Sequence, residues 1–323
     1  MTVRASARLL LVLFGPTSSG KTALSVDLAG RIERELGREV VVVSADSRQV
    51  YRYMDIGTSK TTAAEMHGIR HEMLDVAEPV RKLELEEYAG LARQHLADAF
   101  AAGHIPFVVG GTGIYMKALL EGWQVDRVGA ARESLRRDFP RGMAADAHAM
   151  LRRLDRAAAA RVHPNNYAAV INALAGIMAA DQPTAPDLTT LVLGLDPGCR
   201  VLDQRVARTY DEQVARGLFD EIVHLNERYG LDRDLRGRGR DSPNQVLHTH
   251  GYREYFDVAM ERGKPVAGLS GAERAEVRAR VVEHIRGYTR RQRSWLRKLR
   301  GARVVRSVDE AFALVNQPAT ASN

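Results

Sequence analysis

Residues 8–22, RLLLVLFGPTSSGKT, join an apolar run to a glycine-rich turn. Arg8 to Phe14 predicts a buried β-strand, and Thr22 to Leu36 has the periodicity of a helix. Between them, Gly15 to Thr22 matches the pattern G-x-x-x-x-G-K-(S/T) in full. The glycines of such a loop let consecutive backbone N–H groups point at phosphate oxygens, and the positive end of the following helix attracts the same anion. The stretch therefore predicts a phosphate-binding loop after the first strand.

Strands that alternate with helices indicate the fold class. Glu39 to Val43 and Ile105 to Val109 are further β-branched runs, and Leu85 to Phe100 between them has a helical pattern. This alternation favours a parallel sheet covered on both faces. We predict an α/β fold: a P-loop NTPase-like parallel sheet flanked by helices, with a small all-helical insertion domain and a helical C-terminal region.

The insertion and the C-terminal region are predicted from the places where strand patterns stop along the chain. Between residues 124 and 187 an Ala/Arg-rich helical texture replaces them, and Thr190 to Leu195 then resumes as a strand. The remainder is mainly helical apart from Arg233 to Arg240, which has the charge and glycine content of a loop. The predicted domains are a core at 1–123 and 188–312, a helical insertion domain at 124–187, and a flexible tail at 313–323.

Composition restricts the class of protein. Among 323 residues, 45% are hydrophobic and 27% are charged, which is typical of a chain able to bury a core. The apolar run Leu9 to Phe14 is far shorter than the roughly 20 residues of a membrane helix, and it is also too short for a signal peptide. Cys199 is the only cysteine, so an internal disulfide is excluded. We expect a cytoplasmic monomer without a membrane partner.

The phosphate loop supplies a cation and a hydroxyl. Lys21 can neutralise phosphate charge, and Thr22 can hold Mg²⁺ or a phosphate oxygen. NTPases commonly end another core strand with an acidic residue that holds the metal, whereas Ile105 to Val109 is followed by GGTGIY. This contrast favours a substrate whose diphosphate is a leaving group. The predicted diphosphate contacts are Gly15, Pro16, Thr17, Ser18, Ser19, Gly20, Lys21 and Thr22.

Asp46 lies just past the end of the second predicted strand. In a doubly wound sheet this end faces the ligand crevice, so Asp46 can act as a general base beside the phosphate loop. The alternative is a cap on a following helix. Thr112, in the glycine-rich turn after the third strand, has the same two interpretations, as a site residue or as a turn residue.

Positive charge is concentrated near the C-terminal end. The net charge is +7, and residues 286–300 contain seven basic and no acidic side chains. Such a segment is typical of a polyanion-binding surface, but also of a solvated helix in an arginine-rich protein. Charge alone leaves both interpretations open.

Several motifs together resemble one family. They are GPTSSGKT at Gly15 to Thr22, DSRQVYRYMDIGTSK at Asp46 to Lys60, VVGGTGIY at Val108 to Tyr115, GYRE at Gly251 to Glu254, and RRQRSWLR at Arg290 to Arg297. In this order and spacing, from about residue 8 to 300, the chain resembles the bacterial tRNA dimethylallyltransferases. The first three of these motifs are predicted to surround one crevice, and together they are more specific than the phosphate loop alone.

The resemblance implies a nucleophilic substitution at an allylic carbon. Dimethylallyl diphosphate would lie on the phosphate loop with Mg²⁺ at Thr22, and the exocyclic amine of the adenine 3′-adjacent to the anticodon would attack it. Asp46 would be the general base, and Thr112 would hydrogen-bond the leaving group. The implied partner is the anticodon stem-loop of tRNA, contacted by the insertion domain and by Ser47, Gln49, Arg286, Arg290, Arg291, Gln292, Arg293 and Arg297.

Departures from the family pattern keep three alternatives open. This chain has Asn166, Ala169, Asn172, His248 and Ile285 where the family usually has other residues. One alternative is a prenyltransferase that acts on free adenine nucleotides, as in cytokinin synthesis. The others are a small-molecule kinase and a non-catalytic RNA-binding P-loop protein.

Overall fold

A six-stranded parallel sheet carries the fold in the computed structural model, which describes residues 8–180, 188–299 and 301–317. The strands are β1 Arg8–Phe14, β2 Val40–Ala45, β3 Arg70–Glu72, β4 Ile105–Gly110, β5 Leu188–Gly194 and β6 Arg303–Val304. Their order across the sheet is β3-β2-β4-β1-β5-β6, and the described pairings are parallel. The predicted α/β fold with a parallel sheet is confirmed.

Helices cover the sheet and build the C-terminal region. They are α1 Lys21–Leu36, α2 Ala63–Met66, α3 Leu85–Ala101, α4 Gly113–Asp138, α5 Ala144–Leu154, α6 Arg156–Arg161, α7 Tyr167–Ala180, α8 Cys199–Ala215, α9 Leu218–Tyr229, α10 Leu231–Arg238, α11 Arg253–Glu261, α12 Gly271–Leu296 and α13 Val308–Val315. Across the described residues, no helix is both long and apolar enough to span a membrane.

Strand β1 lies at the centre of the core. Its residues from Leu9 to Phe14 are at most 2% exposed, because β4 and β5 pair on its two sides. Helices α1 and α13 add Leu28, Ile32 and Phe312 to the same cluster. A continuous apolar run, with no polar alternation, is what a strand buried on both faces requires.

The segment that the sequence predicts as a charged loop, Arg233 to Arg240, is largely helical. It belongs to α10, which buries Leu231 and Leu235 one turn apart. Asp232 fastens the start of this helix, because its N–H donates to Asn226 Oδ1 at 2.8 Å. Two buried leucines thus outweigh the glycines and charges that suggested a loop.

The chain divides into two compact units, Met1–Met116 with Asp187–Asn323, and Lys117–Pro186. The smaller unit has its own core, in which Leu135, Leu151 and Leu174 are at most 1% exposed. It begins before the predicted insertion boundary at 124, because α4 continues across that residue. Contact of this unit with tRNA stays a prediction.

The end of the described chain is anchored to the core. Residues 313–315, assigned to the flexible tail by sequence, form the last turn of α13. Phe312 and Val315 are buried on the face of α13 that meets the core. Residues 318–323 of the predicted tail lie outside the described residues.

Candidate active site

Three strand ends converge at one edge of the sheet. Phe14 of β1 and Ala45 of β2 both pair with Gly110 of β4. The turns that follow are hydrogen-bonded to one another: Gly15 N donates to Gly110 O at 3.3 Å, and Thr112 N donates to Ala45 O at 3.2 Å. The phosphate loop, the Asp46 turn and the Thr112 turn therefore lie side by side, as expected for the carboxyl edge of a doubly wound sheet.

The phosphate loop leads directly into α1. Gly20, just before the helix, has φ 98°, a left-handed conformation that favours glycine. Ser19 Oγ is buried, and no hydrogen-bond partner for it occurs in the described part of the protein. A phosphate oxygen is a fitting partner for such a hydroxyl, because buried polar groups are nearly always hydrogen-bonded.

Lys21 is a cation held in an unfavourable setting. Its Nζ donates to Pro16 O at 2.8 Å within the loop. Burial lowers the pKa of Lys21 to about 8, although the negative charge of Asp46 acts in the opposite direction. An anion bound in the loop would restore the favourable environment that the ammonium lacks.

Asp46 caps a turn and not a helix. Its Oδ1 accepts from Arg48 N at 2.8 Å and from Gln49 N at 3.4 Å. No helix begins here, since residues 47–50 form turns. Asp46 therefore stabilises an Asx turn and not the start of a helix, and this turn uses one of its two carboxylate oxygens.

Thr112 is fastened to the Asp46 turn. Its Oγ1 accepts from Ser47 N at 3.0 Å and lies 3.3 Å from Ser47 Oγ. Thr112 is only 9% exposed. The two predicted catalytic residues are thus coupled through Ser47, whose backbone N–H is already used inside the protein.

Two adjoining cavities meet at Asp46. The first, which we call the loop cavity, is lined by residues 17–22 of the phosphate loop together with Asp46 and Gln49. The second, the helix cavity, is lined by Asp46, Arg48, Tyr288 and Arg291. Thr17 and Ser18 line both cavities as well. A carboxylate therefore stands where an anion-binding cavity and an aromatic, arginine-lined cavity join.

Tyr288 of α12 is a site residue that was not predicted. Burial raises the pKa of its hydroxyl, and the negative charge of Asp46 raises that pKa further. Its position had one sequence signal: Tyr288, Gln292 and Trp295 are spaced i, i+4, i+7 and so share one helix face.

Gln292, predicted as a tRNA contact, has hydrogen-bond partners inside the protein. Gln292 is 3% exposed. Its Oε1 accepts from Thr17 N at 2.8 Å, and its Nε2 donates to Gly111 O at 2.9 Å. Both ends of the amide are used inside the protein, so Gln292 joins α12 to the phosphate loop and to the glycine turn.

Helix α12 also packs closely against the glycine turn to which Gln292 is hydrogen-bonded. A Cβ atom on Gly113 would lie 2.2 Å from the Trp295 ring, so only glycine lets the helix approach the turn this closely. Trp295 is accordingly a packing residue in this structure.

The predicted arginine contacts fall into two groups. Arg293 Nε lies 2.8 Å from each Asp196 carboxylate oxygen, and Arg286 donates to Asp203 O at 3.1 Å. The exposed arginines are Arg290, Arg291 and Arg297. Pairing with aspartate reduces the cationic surface that the sequence indicates, and the exposed group is the better candidate for phosphate contacts.

Three further side chains of the matching motifs, among them the predicted tRNA contact Gln49, also have partners inside the protein. Gln49 Nε2 donates to Ser59 O at 3.2 Å and lines the loop cavity. Tyr115 stacks on Tyr88 with ring centroids 3.6 Å apart, and both are buried. Lys60 is 6% exposed, with Nζ 2.5 Å from Asp55 and 2.6 Å from Asp75, so it is a buried, paired cation.

Comparison with known proteins identifies the family. The IPP transferase family matches residues 49–299, and the isopentenyl transferase family matches residues 8–85. A tRNA dimethylallyltransferase of Koribacter versatilis is 35% identical over 321 residues, which cover 96% of each chain. This chain belongs to the IPP transferase family. A further relative, a tRNA dimethylallyltransferase of Roseiflexus sp., is 36% identical over 303 residues and 90% of each chain.

A solved structure of an IPP transferase relative has the same fold. A full-length tRNA isopentenylpyrophosphate transferase from Bacillus halodurans is 30% identical, with a TM-score of 0.63, over 96% of this chain and 94% of that one. The two family matches together contain the phosphate loop, Asp46, Thr112, Tyr288 and Gln292. The chain is therefore a transferase whose candidate site lies within the regions shared with its family.

Gln292→Ala tests the bridge between α12 and the loops. The change leaves Thr17 N–H and Gly111 C=O without their partner, at a cost of about 1 to 3 kcal/mol for each unsatisfied buried group. We expect a lower melting temperature and weaker binding of inorganic pyrophosphate by calorimetry. Arg290→Ala, an exposed change on the same helix, is the matched control and should leave both quantities near wild type. Weaker tRNA binding with unchanged stability and pyrophosphate binding would instead make Gln292 an RNA contact.

Proposed function

We propose that this IPP transferase is a tRNA dimethylallyltransferase. It transfers the dimethylallyl group of dimethylallyl diphosphate to the exocyclic amine of the adenine 3′-adjacent to the tRNA anticodon, and it releases diphosphate. The observation that carries the proposal is the position of Asp46, which lines both the loop cavity and the helix cavity. The relatives described above are named tRNA dimethylallyltransferases and match this chain over nearly their whole length, which supports the proposal.

The donor diphosphate binds in the loop cavity. Its oxygens accept from loop N–H groups and from Ser19 Oγ, and Lys21 neutralises part of the charge. Mg²⁺ fits the same place, because Thr22 lines the cavity and a hydroxyl with phosphate oxygens is the hard oxygen set that Mg²⁺ prefers. Bound there by Thr22, it would add positive charge against the leaving group.

The reaction forms one bond and breaks another at the same carbon. The adenine amine bonds to the first carbon of the dimethylallyl group, and the C–O electron pair leaves with the diphosphate. The amine becomes strongly acidic as its C–N bond forms, so the Asp46 carboxylate can take the proton. Thr112 and Lys21 stabilise the charge that develops on the departing diphosphate.

The acceptor adenine enters the helix cavity. An adenine in a single-stranded loop can be unstacked at low cost, and aromatic or guanidinium planes replace the lost stacking. Tyr288 and Arg291 provide such planes, since the Arg291 guanidinium lies 5.6 Å from the Tyr288 ring centroid. The exposed Arg290 and Arg297 contact the tRNA backbone, and the insertion domain adds further contacts.

The direct test is incubation with dimethylallyl diphosphate and either unmodified tRNA or AMP, followed by digestion and mass analysis for prenylated adenosine. We expect product from tRNA and little from AMP.

Arg290→Glu with Arg297→Glu should weaken tRNA binding and flatten its salt dependence, because fewer counterions are then released. Equal yield from AMP with no salt dependence would favour the free-nucleotide prenyltransferase. Absence of product from both would contradict the proposed function.

Donor binding should also depend on pH through Lys21. The pKa of Lys21 is about 8 in the free protein, and a bound diphosphate raises it by favouring the ammonium. Affinity is therefore highest below that pKa and falls as the pH rises above it, by up to about tenfold per pH unit. The check is calorimetric titration of dimethylallyl diphosphate, without tRNA, between about pH 7 and pH 9.

Lys21→Arg is the matched control for this titration, since arginine stays charged over the whole range. Its donor affinity should change little with pH, whatever its absolute value. A flat profile for the wild-type protein, or an equal fall in Lys21→Arg, would remove Lys21 as the titrating group.

A further inference from the structure

A second cluster of ligand-forming side chains lies where α11 meets α12. His250, Glu254 and His284 offer ligand atoms that all lie within 4.8 Å of one another. Glu254 Oε1 is 2.9 Å from His250 Nδ1 and 2.7 Å from His284 Nδ1. The two imidazole rings are 5.2 Å apart and inclined by 44°. Both Nδ1 atoms thus converge on one carboxylate oxygen.

Glu254 is a buried anion that lacks an arginine or lysine partner among its described contacts. Its side chain is 0% exposed. Its Oε1 faces the Nδ1 atoms of both histidines, and Gly251 N–H donates to its Oε2 at 2.9 Å. A buried carboxylate needs a compensating positive charge. Here that charge must come from the imidazoles or from a cation that they bind together.

We propose that His250, Glu254 and His284 form a binding site for a divalent transition-metal ion of the zinc type. Two imidazoles and one carboxylate are a donor set that suits zinc, with water in the fourth position. Zinc–ligand bonds of about 2.0 to 2.1 Å place neighbouring ligand atoms about 3.4 Å apart in a tetrahedral site. The two ligand–ligand distances from Oε1 reach that spacing if Nδ1 moves away by about 0.5 Å at His250 and by about 0.7 Å at His284.

The surroundings suit a metal ion as well. Gly251 N donates to Glu254 Oε2 at 2.9 Å, and such an outer contact orients a ligating carboxylate. The side chains of His250 and His284 are 29% and 39% exposed, so an ion can enter from solvent. Glu254 is thus fixed inside the protein, whereas the two imidazoles can be reached from solvent.

The ion would join two elements of the helix cavity. His250 precedes α11 and lines that cavity, whereas His284 lies on α12 one turn before Tyr288. A metal bond between them would restrain the position of α12 beside the cavity. Metal binding at this cluster is a property separate from prenyl transfer and can be tested without either substrate.

The test is zinc binding to the full-length protein after treatment with a chelator, measured by calorimetry and by metal content after gel filtration. We expect one zinc ion per chain. His284→Ala and His250→Ala should each weaken binding by about tenfold or more, since even outer-shell partners are worth about 10- to 100-fold. His95→Ala is the matched control, because His95 pairs with a single carboxylate, Glu72, at 3.3 Å. It should bind zinc as the wild type does.

Cobalt substitution keeps the test decisive if a histidine variant fails to fold. Co²⁺ in the wild-type protein should give the intense visible bands of a tetrahedral site, and zinc should displace it. Absence of zinc from the wild type, zinc retained by a folded His284→Ala protein, an equal loss in His95→Ala, or only weak octahedral cobalt bands would each overturn the proposal.

Discussion

The parallel pairing of β1 and β2 with β4 is the constraint on which the candidate site depends. Because Phe14 and Ala45 share Gly110 as their partner, three strands end at one level of the sheet. The turns that follow must then lie side by side. An anion-binding loop, a carboxylate and a hydroxyl are brought together by strand register alone. The buried apolar strands supply the rigidity that such a site needs.

Helix α12 completes the site from the far end of the chain. Gln292 reaches Thr17, 275 residues away in sequence, and fixes the helix against the phosphate loop. Once that bridge is formed, Tyr288 lies one turn earlier, beside Thr112. The same segment that the family resemblance implies as an RNA surface therefore has a buried face that builds the site and an exposed face with Arg290 and Arg297.

The parts of the site that sequence predicts are the local ones. The phosphate loop and the Asp46 position follow from spacing within one strand and its turn, and the structure places them as expected at the sheet edge. Gln292 and Arg293 were not predictable in the same way, because their partners are far away in sequence. A glutamine or arginine in a basic run looks like an RNA contact until the fold shows what it touches.

The measurement that bears most directly on Asp46 is the single-turnover rate of Asp46→Asn at saturating donor and tRNA. Asparagine can still accept from Arg48 N–H and keep the turn, so the melting temperature and the binding of both substrates should remain near wild type. Loss of the proton acceptor should slow the chemical step by about 10² to 10⁴-fold. A wild-type rate in a well-folded Asp46→Asn protein would contradict the role of Asp46 as the base between donor and acceptor.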